Sequence, residues 1–126
     1  MMRLYLSGPM TGYPYFNSEA FDSAAEELRE AGYEVFNPVE HDREMGFDPM
    51  LHPKGKVTPE FPLREALKAD LTWILDHAEG VATLPGCEDS KGARAEIALA
   101  EALGLSVVSA QGWILYAEWG LVKAAG

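Results

Sequence analysis

The chain has 126 residues, 48% of them apolar and 24% charged, the balance of one soluble globular domain with room for a core and none for a second domain. Twenty acidic against ten basic residues leave a formal charge of −10, which argues against attraction to nucleic-acid polymers or to anionic membrane surfaces. The opening apolar run is too short for a signal peptide, and no stretch approaches the ~20 residues that span a bilayer, so a cytoplasmic location is expected. A single cysteine, Cys87, excludes an internal disulfide; it reads as a loop filler rather than a reactive thiol, since no His adjoins it. His41, His52 and His77 are scattered and read as surface or loop residues, and no Cys or His pair has metal-ligand spacing.

Residues 3–7, RLYLS, are short, mostly apolar and closed by Gly8-Pro9, the pattern of a first strand buried on both faces. GPMTGYPYFN follows as a loop of fixed turns, placed where open α/β sheets receive ligands. Asn17 can cap the next helix, with Phe16 and Phe21 at the spacing of a hydrophobic staple; Phe21, Ala24, Ala25 and Leu28 form its buried stripe and Gly32 ends it. Residues 33–36 make a second strand closed by Asn37-Pro38. Residues 37–60 carry four Pro, two Gly and little periodicity, so they read as one long irregular loop, either a cover for a site or a surface excursion.

Pro62 opens a helix to about His77 whose apolar face holds Leu63, Ala66, Leu67, Trp73 and Ile74, with Asp70 among them. Residues 79–84 form a third strand. Pro85 and Gly86 break it, Asp89 or Ser90 caps a helix over 91–103, and residues 105–109 form a fourth strand. Strands alternating with helices predict a Rossmann- or flavodoxin-like parallel sheet of four to five strands flanked by helices. The tail, GWILYAEWGLVKAAG, predicts either a last helix packed on the sheet or an exposed apolar surface that needs a second copy of the chain.

At about 100° per residue, Ala93, Ile97, Leu99, Ala100, Leu103 and Gly104 share one arc of the 91–103 helix, and Glu96 falls near its middle. A carboxylate among aliphatic side chains must be hydrogen-bonded, sit at a cleft, or raise its pKa. The competing reading rotates the helix slightly and leaves Glu96 solvated at a rim. Asp70 repeats the anomaly on the preceding helix. Two carboxyl groups flanking one reactive carbon are the usual arrangement for cleaving a glycosidic bond, one attacking C1 and the other serving the leaving group.

These residues carry a resemblance. With LYLSGP supplying Tyr5, ADLTWIL supplying Asp70 and Trp73, and SKGARAEIALAEALG supplying Glu96, residues 4–109 resemble the nucleoside 2-deoxyribosyltransferase family. The family includes the 2'-deoxynucleoside 5'-phosphate N-hydrolases, and the opening YLSGPMTG is also similar to short phage-associated relatives. The resemblance implies Glu96 as nucleophile, Asp70 acting on the leaving base and Tyr5 orienting Glu96. It further implies Ser7, Gly8, Pro9, Met10, Gly12, Asn17, Asp89, Ser90 and Gly92 as the substrate-binding set. Ser90 stands where the transferases have Asp and the phosphate hydrolases Ser, which implies a nucleoside 5'-monophosphate over a nucleoside, although Asp89 adjoins it.

Arg94, Ala95 and Ala98 depart from the family's glycines, which implies either a narrower pocket or a different seating of the sugar. The family also takes a polar residue from a neighbouring subunit, so a homodimer or larger homo-oligomer is expected, with no metal or other cofactor. Two further function classes stay open: a nucleotide-binding sensor without turnover, and an α/β domain used for assembly through its aromatic tail.

Overall fold

The computed structural model describes residues 1–59 and 61–121. Four strands, β1 (Arg3–Ser7), β2 (Glu34–Phe36), β3 (Gly80–Thr83) and β4 (Ser106–Ser109), pair in parallel in the order β2-β1-β3-β4. Five α-helices flank them: α1 (Ser18–Glu30), α2 (Pro38–Glu44), α3 (Leu63–His77), α4 (Lys91–Ala102) and α5 (Ala110–Glu118). The fold is Rossmann/flavodoxin-like, as the alternation of strands and helices predicts.

Period-two alternation in β1 divides the molecule. Leu4 and Leu6 enter a cluster with Phe21, Ala25 and Leu28 of α1 and Trp113 of α5. Tyr5 enters a second cluster with Ile74 of α3 and Ala100 of α4. β1 and β3 occupy the centre of the sheet, and the chain reverses its direction of travel across the sheet between them. Ligands of open parallel sheets bind at such a switch point, outside the carboxyl ends of the strands.

α1 ends as expected, with Gly32 at φ 104° and Tyr33 N–H bonded to Leu28 O at 3.1 Å. Its start differs. Asn17 occupies the cap position in a left-handed conformation without capping, and its Nδ2 donates to Pro9 O at 3.0 Å. Tyr15, Phe16 and Asn17 all have positive φ (51°, 54° and 61°), a run that costs of order 1 kcal/mol per residue and must be over-determined by its surroundings. Phe16 supplies much of that constraint by packing on Phe47, His52 and Phe61, with ring centroids 5.4, 5.7 and 6.3 Å away.

The expectation for residues 37–60 is corrected. Asn37 caps α2, accepting from Val39 N–H at 3.0 Å, and Pro38 takes the first turn, where a missing N–H costs nothing. A 3-10 turn follows at Pro49–Leu51, and Phe47 stacks on His52 at 4.6 Å. Gly12 N–H donates to Gly55 O at 2.8 Å, which ties this segment to the 8–17 loop. A Cβ on Gly55, at φ +62°, would lie 2.0 Å from Tyr13 O, so only glycine permits that approach. His41, on α2, is half-buried 5.7 Å from the Phe36 ring, which corrects the surface-or-loop reading for it, while His52 does lie in a loop, half-buried against Phe16 and Phe47.

The tail resolves into α5, capped by Ser109, whose Oγ accepts from Gly112 N–H at 3.0 Å. Beyond the helix Trp119 and Leu121 are exposed, and residues 122–126 of the tail lie outside the described residues. Trp113 pins the helix to the sheet: Nε1 donates to Val81 O at 2.9 Å, and its own carbonyl accepts from Tyr33 Oη at 2.6 Å. Gly80 leaves the space that the indole fills. Replacing Trp113 by Phe keeps most of the packing and removes the Nε1 bond, so stability should fall by about 1 to 2 kcal/mol. The shift in urea midpoint at unchanged m-value measures it.

Candidate active site

Glu96 lies on the second turn of α4, on the face turned toward β1. Ser90 sets that rotation by capping the helix, its Oγ accepting from Ala93 N–H at 3.2 Å. Ala93, Glu96 and Ala100 are the buried residues of α4, while Leu103 is 45% exposed. The carboxylate is 6% exposed, so the reading that leaves it solvated at a rim is overturned. Tyr5 Oη donates to Glu96 Oε2 at 2.7 Å and Ser7 Oγ donates to Oε1 at 2.8 Å, one hydroxyl to each oxygen. Both donors come from β1, where odd-numbered side chains share the α3/α4 side of the sheet. Ser7, expected among substrate ligands, spends its proton on Glu96.

Asp70 sits on α3 with Ala66 and Ile74, one turn to either side, on the buried face; Leu63, expected there, is 50% exposed. Asp70 is 7% exposed, and its Oδ1 is buried without a hydrogen-bond partner among the described residues. Burial first, then the negative charges of Glu96 and Asp42, push its carboxyl up to about 8, and the Tyr5 hydroxyl opposes this. Burial pushes Glu96 up to about 7 against the hydrogen bonds from Tyr5 and Ser7. Tyr5, wholly buried beside Glu96 and Asp70, is held well above the usual phenol range by burial first and then by both acids. Both carboxyl groups thus act on one tyrosine hydroxyl, which donates to Glu96.

Asp42 is the acid that sequence reasoning misses. It is 4% exposed on α2, and burial alone raises its carboxyl to about 6. The signal was present as Asn37-Pro38, a cap followed by a first-turn proline, which places Val39 and Asp42 on one helical face. Aromatic rings floor the same region. Phe36 stacks on Tyr5 at 5.5 Å and an interplanar angle of 18°, Trp73 lies 5.1 Å from Phe36, and His77 lies 5.7 Å from Trp73.

The expected binding residues divide. Gly8 and Pro9 are buried at the end of β1, where a Cβ on Gly8 would lie 2.8 Å from Leu84 Cβ, so the loops after β1 and β3 touch there. Gly92 and Ser90 are half-buried at the start of α4, and nothing lies within 4 Å of where a Gly92 Cβ would stand. Met10 packs instead against the core on the α1/α5 side, Gly12 is exposed and tied to Gly55, Asn17 is tied to Pro9, and Asp89 is exposed. Arg94, Ala95 and Ala98 are exposed, so they do not line the buried side of α4 and do not narrow the space around Glu96.

A cavity of ≈ 930 Å³, bordered by Tyr15, Asn17, Asp22, Arg43 and Met50, and another of ≈ 450 Å³ between α1 and α5 both exclude the carboxylates. Among the described residues no three His, Cys, Asp or Glu are grouped to hold a metal ion, and no helix is long and apolar enough to cross a membrane.

Fold and site together define a small doubly wound α/β protein with a hydroxyl-held glutamate and two further buried acids beside the switch point of its sheet. The chain belongs to the DUF4406 family, described as a domain of unknown function, which matches residues 2–109, from the start of β1 to the last residue of β4. No curated protein matches the chain.

Proposed function

We propose that the protein cleaves, or transfers at, the N-glycosidic bond of a nucleoside or nucleoside 5'-monophosphate, with Glu96 as nucleophile and Asp70 as the acid that serves the leaving base. The observation that carries this reading is Glu96 gripped by the hydroxyls of Tyr5 and Ser7, with Asp70, whose Oδ1 is buried without a hydrogen-bond partner among the described residues, close enough for the Glu96 charge to act on it.

The environments push the two acids apart. Asp70 at about 8 keeps its proton near neutral pH, while Glu96 at about 7 gives up its own first. That leaves one carboxylate and one carboxylic acid, the pair that displacement at C1' requires. Glu96 Oε forms a bond to C1' as the C1'–N bond breaks, and the departing base nitrogen takes the Asp70 proton. Attack by water on C1', with Asp70 receiving the water's proton, then restores Glu96; a second base in place of water gives transfer. Ser90 and Gly92, half-buried at the start of α4, would hold the sugar or a 5'-phosphate. Trp119 and Leu121, exposed past α5, are where a second copy of the chain would pack.

Incubation with a panel of deoxynucleosides and their monophosphates, read as free base by chromatography, tests the reading. Binding without release identifies a nucleotide-binding protein instead. Tyr5→Phe sharpens the test, because it removes a donor that holds the Glu96 carboxylate ionised. The acid limb of the rate profile should then move up by about one pH unit or more. An unmoved profile means that Tyr5 does not tune the nucleophile.

A further inference from the structure

Tyr13, in the loop after β1, packs against a glycine from each of two other connections at the carboxyl ends of the strands. Its backbone lies on Gly55, between α2 and α3, where a Cβ would stand 3.0 Å from Tyr13 C and 3.1 Å from Tyr13 N. Its phenol tip lies on Gly86, just after β3, where a Cβ would stand 2.5 Å from Oη and 3.6 Å from Cζ. Both glycines have positive φ, 62° and 89°, so a side chain is disfavoured there on two counts. Gly12 N–H fastens the first contact by donating to Gly55 O at 2.8 Å.

The Gly86 contact lies in the crevice that the fold leaves for a ligand, the opening between the loops after β1 and β3. That opening is filled from within. A Cβ on Gly8 would meet Leu84 Cβ at 2.8 Å, and one on Gly86 would meet Pro9 Cγ at 3.2 Å. Pro9 is buried and Tyr13 is 37% exposed, so the ring is the outer layer of the filling. Ser7 stands two residues before Pro9, within about 7 Å along the chain, and it holds Glu96 Oε1 at 2.8 Å. Under this cover Ser7, Glu96 and Asp70 are all buried, and Asp70 Oδ1 has no hydrogen-bond partner among the described residues. A ligand reaches these groups through the crevice only when the ring leaves it.

We propose that Tyr13 is a gate: its ring plugs the crevice between the β1 and β3 loops in this structure, and it swings into solvent to let a small molecule reach Glu96 and Asp70. The contact suits such motion. Gly86 has no side chain to grip the ring, and a partly exposed phenol changes rotamer about its own bonds while the Gly12–Gly55 hydrogen bond keeps the loop in place. The gate controls entry to the two acids whatever bond is broken there, so it goes beyond the glycosidic reading without depending on it.

Carboxyl modification by a water-soluble carbodiimide with glycinamide, read peptide by peptide by mass spectrometry, tests the gate. Exposed Glu101 on α4 and exposed Asp76 on α3 are references within the same two helices. In the wild-type chain Glu96 and Asp70 should react at least about tenfold more slowly than these references, because only the open fraction reacts. Tyr13→Ala should bring both acids to within about threefold of the references, whereas Tyr13→Phe, which keeps the ring, should leave them as slow as in wild type. Gly86→Ala acts from the other side of the contact, where its methyl group displaces the phenol. It should speed both acids as well, and it stands in if Tyr13→Ala does not fold. A cooperative urea transition in each variant separates an opened gate from an unfolded chain. Wild-type acids as reactive as the references, either acid unmoved in the folded alanine variants, or a Phe variant as fast as the Ala variant overturns the gate. No turnover is measured, so failure to release a base would overturn the glycosidic reading and leave the gate standing.

Discussion

On the proposed mechanism Glu96→Gln should all but abolish base release, lowering kcat/KM by about three orders of magnitude or more while the protein stays folded. The amide has the volume of the carboxylate, and its carbonyl oxygen still accepts from one of the two hydroxyls that hold Glu96. What it lacks is the anionic oxygen that the proposed mechanism bonds to C1'. A neutral group in a 6% exposed position also removes a desolvation penalty, so the variant should unfold at the same temperature as wild type or higher. Glu96→Ala is the poorer probe, because it strands the Tyr5 and Ser7 hydroxyls beside a cavity and mixes instability with lost chemistry. Mass spectrometry of the wild-type chain, quenched during turnover, should find a deoxyribosyl adduct on the α4 peptide, and the Gln variant should carry none. A Gln variant within tenfold of wild type would remove Glu96 from the mechanism.

Most of the fold could be read from periodicity, because a small α/β domain can bury its helices only by one stripe each. The stripe of α1 and the bounds of β1 follow from that constraint alone, while the arc read for α4 holds at Ala93 and Ala100 and fails at Leu103 and Gly104, which are exposed. The same logic exposed Glu96 and Asp70, since a carboxylate in an apolar stripe is a local contradiction that some tertiary feature must resolve. What resolves it was only partly legible. Tyr5 and Ser7 share one side of β1 by the two-residue period, yet it is the docking of α4 on β1 that turns both hydroxyls toward one acid.

Asn37-Pro38 pulled the other way. A proline after a strand punctuates the chain, and the same proline one residue past an asparagine starts a helix; the first meaning hid α2 and Asp42 with it. The left-handed run at Tyr15 to Asn17 could not be foreseen, because nothing local favours positive φ in an aromatic residue. It is fixed by contacts with Phe47, His52 and Phe61, all of them distant in sequence.

The stability of the protein should fall as pH rises from 5 to 9, the reverse of what paired surface carboxylates produce. The sign follows from the direction of the shifts. Asp42 rises from 3.8 to about 6, Glu96 from 4.5 to about 7 and Asp70 from 3.8 to about 8, so the folded chain binds protons that the unfolded chain has released. The stabilisation these acids give is complete below the unfolded values and is lost as pH passes about 6, 7 and 8 in turn. For Asp70 alone the loss is on the order of 5 kcal/mol, and Tm should drop by roughly 20 °C as it is lost.

Asp70→Asn isolates the largest contribution, because it leaves every other charge in place. At pH 5, where Asp70 is neutral in the folded chain, variant and wild type should melt within a few degrees of each other. At pH 9 the variant should be the more stable by several kcal/mol, on the order of 5, and the difference should open from about pH 4 and be complete near pH 8. The same substitution removes the acid that the proposed mechanism assigns to the leaving base, so base release should fall by at least about a hundredfold. Gain of stability with loss of activity, from one isosteric change, is the signature of a group kept in an unfavourable place for its chemistry. Thermal melts of both proteins across the pH series decide it: curves that run parallel from pH 5 to pH 9 would mean that Asp70 is not a buried acid in solution.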